Sequence, residues 1–399
     1  MEQRGFILIA DITGYTAYLN ESELEHAQGT LTDLLELLIE HTRSPLIISR
    51  LEGDAVISYG LEAGFVSGQT FLETIENTYL DFRHAIELMV LNNSCQCNAC
   101  ANVSSLDLKF FVHFGSFVLQ KIGNHEELLG TDVNLIHRLL KNSVTAETGI
   151  RAYLLCTDAA VEALGFDDPG DSMTLHTEQV IDLGEASTWI MDMQPAYEAR
   201  STDNRIVFEP GEVIGTLDVD SLLPPQVVWD YLSNPEFRKL LVGSDRQEVT
   251  DRKAGRIGPG SAYQCFHGKG VFPQVVLEWE PFERMVVEQA LELPGGSTTM
   301  VVDYELSPVE GGTHLSSTAA RLGGTGWRHA VWRSMIWMEG MRAQRRLVKF
   351  RDRIEQDSRR MKPGRDSPGI ELDSIAETAA SAVAGWNAAT TLDEDSTQP

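Results

Sequence analysis

The chain predicts an α+β protein of two domains followed by a polar tail, and three observations predict it. Its 399 residues exceed what a single domain usually needs. Over the first 200 residues the apolar pattern runs strand, helix, hairpin, helix, strand, helix, strand. After a weak, turn-rich stretch at 195–211 a different pattern begins: one strand, a proline-opened helix, many strands and a long closing helix.

Residues 6–10, Phe-Ile-Leu-Ile-Ala, form an apolar run that ends at Asp11, the signature of a buried strand with a carboxylate at its C-terminal end. Leu24, Ala27, Leu31, Leu34, Leu35 and Leu38 give helical spacing over 22–41, with Ser22 as N-cap and Glu25 three residues later. Residues 46–59 read as a hairpin with Glu52-Gly53-Asp54 at its tip. A second amphipathic helix follows over 70–91, then a Cys-rich loop, then an alternating strand from Leu106 to Val118. Helical spacing returns at 132–141, and 151–156 and 187–192 read as short strands.

The second domain spans about 201–356. Its strand starts at Val213, Pro224-Pro225 opens its helix, and Pro259-Gly260, Pro281, Pro294-Gly295-Gly296 and Gly311-Gly312 separate the strands that follow. The closing helix covers about 327–355, with Val331, Met335, Met338, Met341 and Leu347 at apolar positions. Residues 357–399 are too polar to order themselves, with one short amphipathic stretch at Ile375–Trp386.

Composition narrows the function. A formal net charge of −27 argues against binding nucleic acid or an anionic membrane, since phosphates would be repelled. No run of 18 apolar residues supplies a membrane span. The start, Met1-Glu2-Gln3-Arg4, lacks the features of a secretory signal, and five cysteines in a long chain do not make a disulfide framework. The expected location is the cytoplasm.

Asp11 and Asp54 are the first candidate site. Adjacent central strands would bring a strand-end carboxylate and a hairpin-tip carboxylate together. Two such groups repel unless a cation lies between them. Two carboxylates plus substrate phosphates is the usual way Mg²⁺ is held. The plainer alternative is that Asp11 caps the next segment and Asp54 only makes the turn.

The surrounding residues resemble the class III nucleotidyl cyclases. Phe6-Ile7-Leu8-Ile9-Ala10-Asp11-Ile12-Thr13-Gly14-Tyr15-Thr16 is similar to their first metal motif, and Glu52-Gly53-Asp54-Ala55-Val56 to their second. Leu108-Lys109-Phe110-Phe111-Val112-His113-Phe114-Gly115 is similar to the strand that precedes the third motif, and Gly130-Thr131-Asp132-Val133-Asn134-Leu135-Ile136-His137-Arg138 to that motif itself. The resemblance covers about residues 5–193. It implies a ferredoxin-like, palm-type domain over residues 1–200. It also implies Asp11, Asp54 and the Ile12 carbonyl as ligands of Mg²⁺ or Mn²⁺, Asn134 on the ribose, and Arg138 on the phosphoryl charge. Helical spacing independently puts Asn134 and Arg138 on one face. The implied substrate is a nucleoside triphosphate. The implied assembly is a head-to-tail homodimer with sites shared between subunits.

The chain departs from that pattern in two places. The base-reading positions hold Arg50 and Glu127, matching neither the adenylate nor the guanylate pair. The C-terminal strand, Ile181-Asp182-Leu183-Gly184-Glu185-Ala186-Ser187-Thr188-Trp189, lacks the lysine that grips the triphosphate.

Cys95, Cys97 and Cys100 form a dense cluster. It reads as a Zn²⁺ site with a fourth ligand such as His113 or His84, as a redox-sensitive loop, or as a loop of reduced thiols. Cys156 and Cys265 lie in apolar runs and read as core. His137 is expected on another face of its helix than Asn134 and Arg138, in a packing or polar role.

Residues 212–355 resemble the START-like, helix-grip superfamily. The likeness rests on the Pro-opened helix with Val227-Val228-Trp229-Asp230-Tyr231-Leu232, on Pro235-Glu236-Phe237, on Leu277-Glu278-Trp279-Glu280-Pro281 and on the long last helix. It implies a curved sheet roofed by that helix over an apolar cavity. Trp332, Met335 and Met338, with Trp327, Trp337 and Met341, would line the cavity for a small apolar ligand; simple core packing is the alternative. Two functions follow as expectations. One is a nucleotidyl cyclase tuned by an apolar ligand in the second domain. The other is a non-catalytic nucleotide- or metal-binding domain fused to a hydrophobe carrier or sensor.

Overall fold

The structure is a computed structural model and describes residues 2–91, 97–122, 125–166, 169–180, 183–200, 205–253 and 255–361. Cys95 and residues 362–399 of the expected tail, with its amphipathic stretch, lie outside the described residues. Among those described, 2–65 and 74–200 make one compact unit, and 66–73 and 205–361 make another. No helix among them is long and apolar enough to cross a membrane.

The first unit is built on β1 (Glu2–Thr13), β2 (Ile47–Glu52), β3 (Ala55–Leu61), β4 (Asp107–Ile122), β5 (His125–Leu129), β6 (Tyr153–Thr157), β7 (Thr174–Val180) and β8 (Gly184–Asp192). The sheet order is β2-β3-β1-β4-β6-β8-β7, with β5 paired to β4. Neighbours are antiparallel except β4 and β6. The apolar run at 6–10 therefore becomes a central strand, buried along both faces.

Its helices are α1 (Tyr15–Asn20), α2 (Leu24–Thr42), α3 (Gly68–Leu91), α4 (Asn98–Asn102), α5 (Thr131–Leu139), α6 (Val144–Thr148), α7 (Asp158–Leu164) and α8 (Gln194–Arg200). The start of α3, residues 68–73, belongs to the second unit. The expected Ser22 cap of α2 is corrected: the N-cap residue is Glu23, which makes no side-chain cap bond there. The stretch expected to be linker from 195 begins with α8. Strands β5 and β7, helices α1, α4, α6, α7 and α8 and, in the second unit, α10 (Pro235–Val242) are not among the elements the sequence pattern predicts, because each is short.

One glycine explains how α5 is seated. The Asp132 carboxylate accepts the Ser116 N–H at 2.7 Å. A Cβ on Gly115 would lie 2.3 Å from that carboxylate oxygen, so only glycine lets the first turn of α5 rest on β4. Val133, Ile136 and Leu139 of α5 then close a core with Ile7, Ile9, Ile57, Phe111 and Leu155. His113 faces the same aspartate at 3.7 Å and bonds Thr157 through Nδ1 at 2.8 Å.

The second unit holds β9 (Val213–Ser221), α9 (Pro225–Ser233), α10 (Pro235–Val242), β10 (Arg246–Thr250), β11 (Ala262–His267), β12 (Gly270–Glu280), β13 (Arg284–Leu293), β14 (Gly296–Val309), β15 (Gly312–Ala320) and α11 (Gly326–Met361). Its seven strands run antiparallel in the order β10-β11-β12-β13-β14-β15-β9. Prolines at the first positions of α9 and α10 suit the helix N-terminus, where an N–H has no partner to lose. Helix α11 continues to Met361, past the expected end near 355. Leu347, Phe350 and Ile354, at i, i+3 and i+7, bury the second half of that helix in the core. Glu73 is also buried here. Its Oε2 accepts from the Trp229 indole at 2.9 Å and its Oε1 from Trp279 at 2.8 Å, so the carboxylate is satisfied by N–H donors.

Candidate functional site

Side chains alternate along a strand, so Ile7, Ile9 and Asp11 share one face of β1. Ile7 and Ile9 lie in the core that α5 closes, and the row ends in the half-buried Asp11. Ala55 of β3 pairs with Asp11 on one side and Lys109 of β4 on the other. Asp54 precedes Ala55 in a two-residue hairpin turn whose first position, Gly53, has φ 62°, as a type II′ turn requires. The Ile12 N–H donates to the Asp54 carbonyl at 3.2 Å. The two segments that carry the aspartates are thus tied backbone to backbone. Gly14, at φ 91°, turns the chain out of β1 into α1.

The electrostatics follow from burial without partners. Among the described residues, no side chain donates a hydrogen bond to Asp11 or Asp54. Burial pushes the Asp11 carboxyl above the usual range, and the Lys109 charge opposes it. Asp54 is pushed up to about 7, first by burial and then by the charge of Asp11, against its own backbone N–H. Burial and the Asp54 charge raise the Tyr15 phenol. Burial lowers the Lys109 amine, with Asp11 acting against it. That amine stands over the Tyr153 ring, 5.2 Å from its centroid. Sequence reasoning gave no role to Lys109, Tyr15 or Tyr153. The available signal was a lone lysine in an apolar strand; the register that sets it beside Asp11 is tertiary. Two half-buried carboxylates and a nearby strand-end carbonyl, that of Ile12, form a hard oxygen donor set, which fits Mg²⁺ or Mn²⁺.

Asn134 and Arg138 are exposed, opposite the buried stripe of α5. They point away from the sheet that bears Asp11 and Asp54, so one chain does not gather all four residues at one point. Arg50 sits at a bulge in β2 and donates through Nε to Glu52 at 2.8 Å. His137 completes the group, 3.4 Å from Arg50 and 3.5 Å from Glu52, in the polar role expected for it. Arg50 is thus engaged by Glu52 and His137, not by Glu127, which is half-buried on β5. Cys156 and Cys265 are buried, in line with core positions.

The expected fourth partners of the cysteine cluster are corrected. His113 is committed to Thr157 and Asp132, and His84 is exposed on α3. The histidine beside Cys97 is His26, whose Nδ1 lies 3.2 Å from the Cys97 sulfur.

In the second unit a cavity of about 620 Å³ opens between the sheet and the first half of α11. Leu217, Leu291, Met300 and Val302 supply sheet-side apolar lining; Met335, Met338 and Met341 supply the roof. Trp337 and Met341 are 68 % and 72 % exposed, which marks an open mouth. Gln289, Tyr304 and Ser317 are among the polar points in the wall, and its Arg346 is paired with Glu339, also in the wall, at 3.1 Å. Arg238, fully buried, stacks on Tyr304 and Tyr263 at 4.8 and 4.7 Å and bonds Gln274 at 3.0 Å. Two expected lining residues are corrected. Trp332 packs in the core with its indole N–H on the Pro294 carbonyl, and Trp327 is 74 % exposed outside the cavity.

Comparison with known proteins gives matches to parts of the chain. Residues 31–148 match a family described as protein of unknown function (DUF2652), and residues 222–344 match Activator of Hsp90 ATPase homolog 1-like protein. An uncharacterized protein of Mycobacterium tuberculosis is 29 % identical over 163 residues, which are 41 % of this chain and 73 % of that protein. Among solved structures, a bacterial light-regulated adenylyl cyclase is 13 % identical with a TM-score of 0.38. It covers 50 % of this chain, and the chain spans 56 % of its length. The adenylyl cyclase CyaB from P. aeruginosa is 13 % identical with a TM-score of 0.33, covering 48 % of this chain and 95 % of its own. A protein from Mesorhizobium loti is 20 % identical with a TM-score of 0.28, covering 35 % of this chain and 98 % of its own.

Proposed function

We propose that the first unit is a metal-dependent nucleotidyl cyclase that forms a 3′,5′-cyclic nucleotide and pyrophosphate from a nucleoside triphosphate. The observation that carries this reading is the pair Asp11 and Asp54, half-buried without side-chain donors and tied through Ile12 N–H to Asp54 carbonyl. Such a pair calls for a cation. Mg²⁺ or Mn²⁺ bound there supplies charge that acidifies the ribose 3′-hydroxyl and neutralises the phosphates. The 3′-oxygen then attacks the α-phosphorus, its proton passes to water, and the bond to pyrophosphate breaks. Asp11 and Asp54 would hold that cation at the end of the sheet, and through it the phosphates. Lys109 adds positive charge on the same face, in a chain whose C-terminal strand sequence has no lysine to offer. Asn134 and Arg138 point outward and serve the ribose and the phosphoryl charge of a second copy's site, which makes the working form a homodimer. Arg50 and Glu127 stay in this proposal as the residues that face the base.

The second unit, on this reading, holds a small apolar ligand with one polar end. Its cavity falls within the range of small-molecule sites and is largely apolar with a few convergent polar groups. Occupancy of that cavity tunes the yield of the first unit.

The experiment is incubation of the purified chain with each nucleoside triphosphate and Mn²⁺, followed by chromatography, with Mn²⁺ binding measured by titration calorimetry. Cyclic product from the wild type is expected, with activity abolished and Mn²⁺ affinity weakened in Asp11→Ala and in Asp54→Ala. Unchanged Mn²⁺ affinity in both variants rejects the metal pair. Bound metal and nucleotide with no product supports instead a non-catalytic binding domain.

A further inference from the structure

We infer that His26, Cys97 and Cys100 form a thiolate–imidazole site for Zn²⁺, separate from the oxygen site at Asp11 and Asp54. Three side chains from two helical segments meet there. His26 lies in the first turn of α2, Cys97 is the N-cap of α4, and Cys100 lies within α4. Their ligand atoms all lie within 4.8 Å of one another, and His26 Nδ1 stands 3.2 Å from Cys97 Sγ. Zn–S bonds of about 2.3 Å and Zn–N bonds of about 2.0–2.1 Å imply ligand separations of roughly 3.5–3.8 Å around a tetrahedral ion. The side chains need only small movements to reach that spacing.

The surroundings hold the donors in place. Cys97 Sγ accepts the Cys100 N–H at 3.4 Å, which fixes the first turn of α4 against the sulfur that caps it. Glu23, three residues before His26, accepts the Ala99 N–H at 3.2 Å and so fastens the first turn of α4 to the start of α2. This is the outer support that soft metal sites use to fix their ligands. Neither cysteine is in a disulfide, both are half-buried, and the imidazole is exposed, which leaves the ion an entry path. Two thiols and an imidazole are donors of the kind that zinc takes. The two cysteines and His26 are 71 residues or more apart in sequence, so the ion would clip α4 to α2 across a long stretch of chain. Three protein ligands leave one coordination position for water or a further donor.

The test uses the full chain, reduced and stripped with chelator, then titrated with Zn²⁺ and separately with Co²⁺. One tightly held equivalent per chain is expected, with a strong thiolate-to-cobalt charge-transfer band that Zn²⁺ abolishes. Cys97→Ser and Cys100→Ser should each reduce that band and weaken Zn²⁺ by more than about 100-fold, beyond the 10–100-fold that outer support residues cost. His26→Ala should weaken Zn²⁺ while keeping the thiolate band. Asp54→Ala should keep the Zn²⁺ equivalent, which separates this site from the proposed cyclase site. Absence of the cobalt band in the wild type overturns the inference whether or not the variants fold. So does unchanged Zn²⁺ affinity in both serine variants. A reduced chain that binds no zinc yet forms a Cys97–Cys100 disulfide on oxidation also overturns it, in favour of a redox pair.

Discussion

Asp54 shows how one carboxylate can record a missing partner. Its pKa is pushed up to about 7 because burial and Asp11 both disfavour its charge, while an unfolded chain leaves it near the ordinary carboxylate value. Between those two values the native state binds the proton that the unfolded state has released. Stability from this group therefore falls as pH climbs towards about 7, the reverse of the usual salt-bridged aspartate. A cation removes the cost by making the charged form favourable. Asp54→Asn should accordingly raise the melting temperature of the metal-free chain at about pH 8, by roughly 2–4 °C for each kcal/mol relieved, and by less than half as much at about pH 5, which stands only a little above the ordinary carboxylate value. Mn²⁺ should raise the melting temperature of the wild type but not of the variant. Differential scanning fluorimetry over both pH values checks this; a variant less stable than wild type at the higher pH contradicts the account.

Helix α11 divides its length between two jobs. Its first half roofs the cavity with Met335, Met338 and Met341, whose flexible thioethers adapt to varied shapes; its second half locks into the core through Leu347, Phe350 and Ile354. The division predicts two different outcomes on one helix. Ala343→Trp, which projects bulk from a lining position, should cut binding of an anionic naphthalene fluorophore at least about tenfold, more than 1.4 kcal/mol, with little change in stability. Phe350→Ala, in the fully buried half, should lower unfolding free energy by about 3–5 kcal/mol. Fluorescence titration and denaturant unfolding read the two effects separately. Unaltered probe binding in Ala343→Trp would show that the cavity is not where the probe sits.

For the whole molecule the decisive arrangement is that Asn134 and Arg138 turn outward from α5, while Asp11 ends the row of Ile7 and Ile9 on β1 and Asp54 lies in the adjoining hairpin turn. If a second copy completes each site, Asp54→Ala and Arg138→Ala are each inactive but complement one another. In a freely exchanging equal mixture half the dimers are mixed, and each mixed dimer keeps one of its two sites. The mixture should recover about a quarter of wild-type activity. Zero recovery where subunit exchange is shown by mass-tagged copies would place the four residues in unrelated roles.

The residues that carry the candidate chemistry were readable because each motif is local. An apolar run ending in Asp11, a Gly-Asp hairpin tip and an Asn–Arg pair at i and i+4 keep their meaning within a few residues. The long closing helix was equally legible from its apolar spacing. What the amino-acid order could not express is register and facing. Lys109 joins Asp11 because β1 and β4 pair in one register out of several, and a shift of one residue would turn it to the other face. His26 meets Cys97 from 71 residues away, which no spacing rule along the chain anticipates. Trp332 and Met338 lie on the same helix, yet one fills the core and the other roofs a cavity, which depends on what packs opposite each face. Local patterns therefore determined which groups are present and on which elements. The tertiary fold alone decided which of them meet, since contacts between distant segments depend on how whole faces pack.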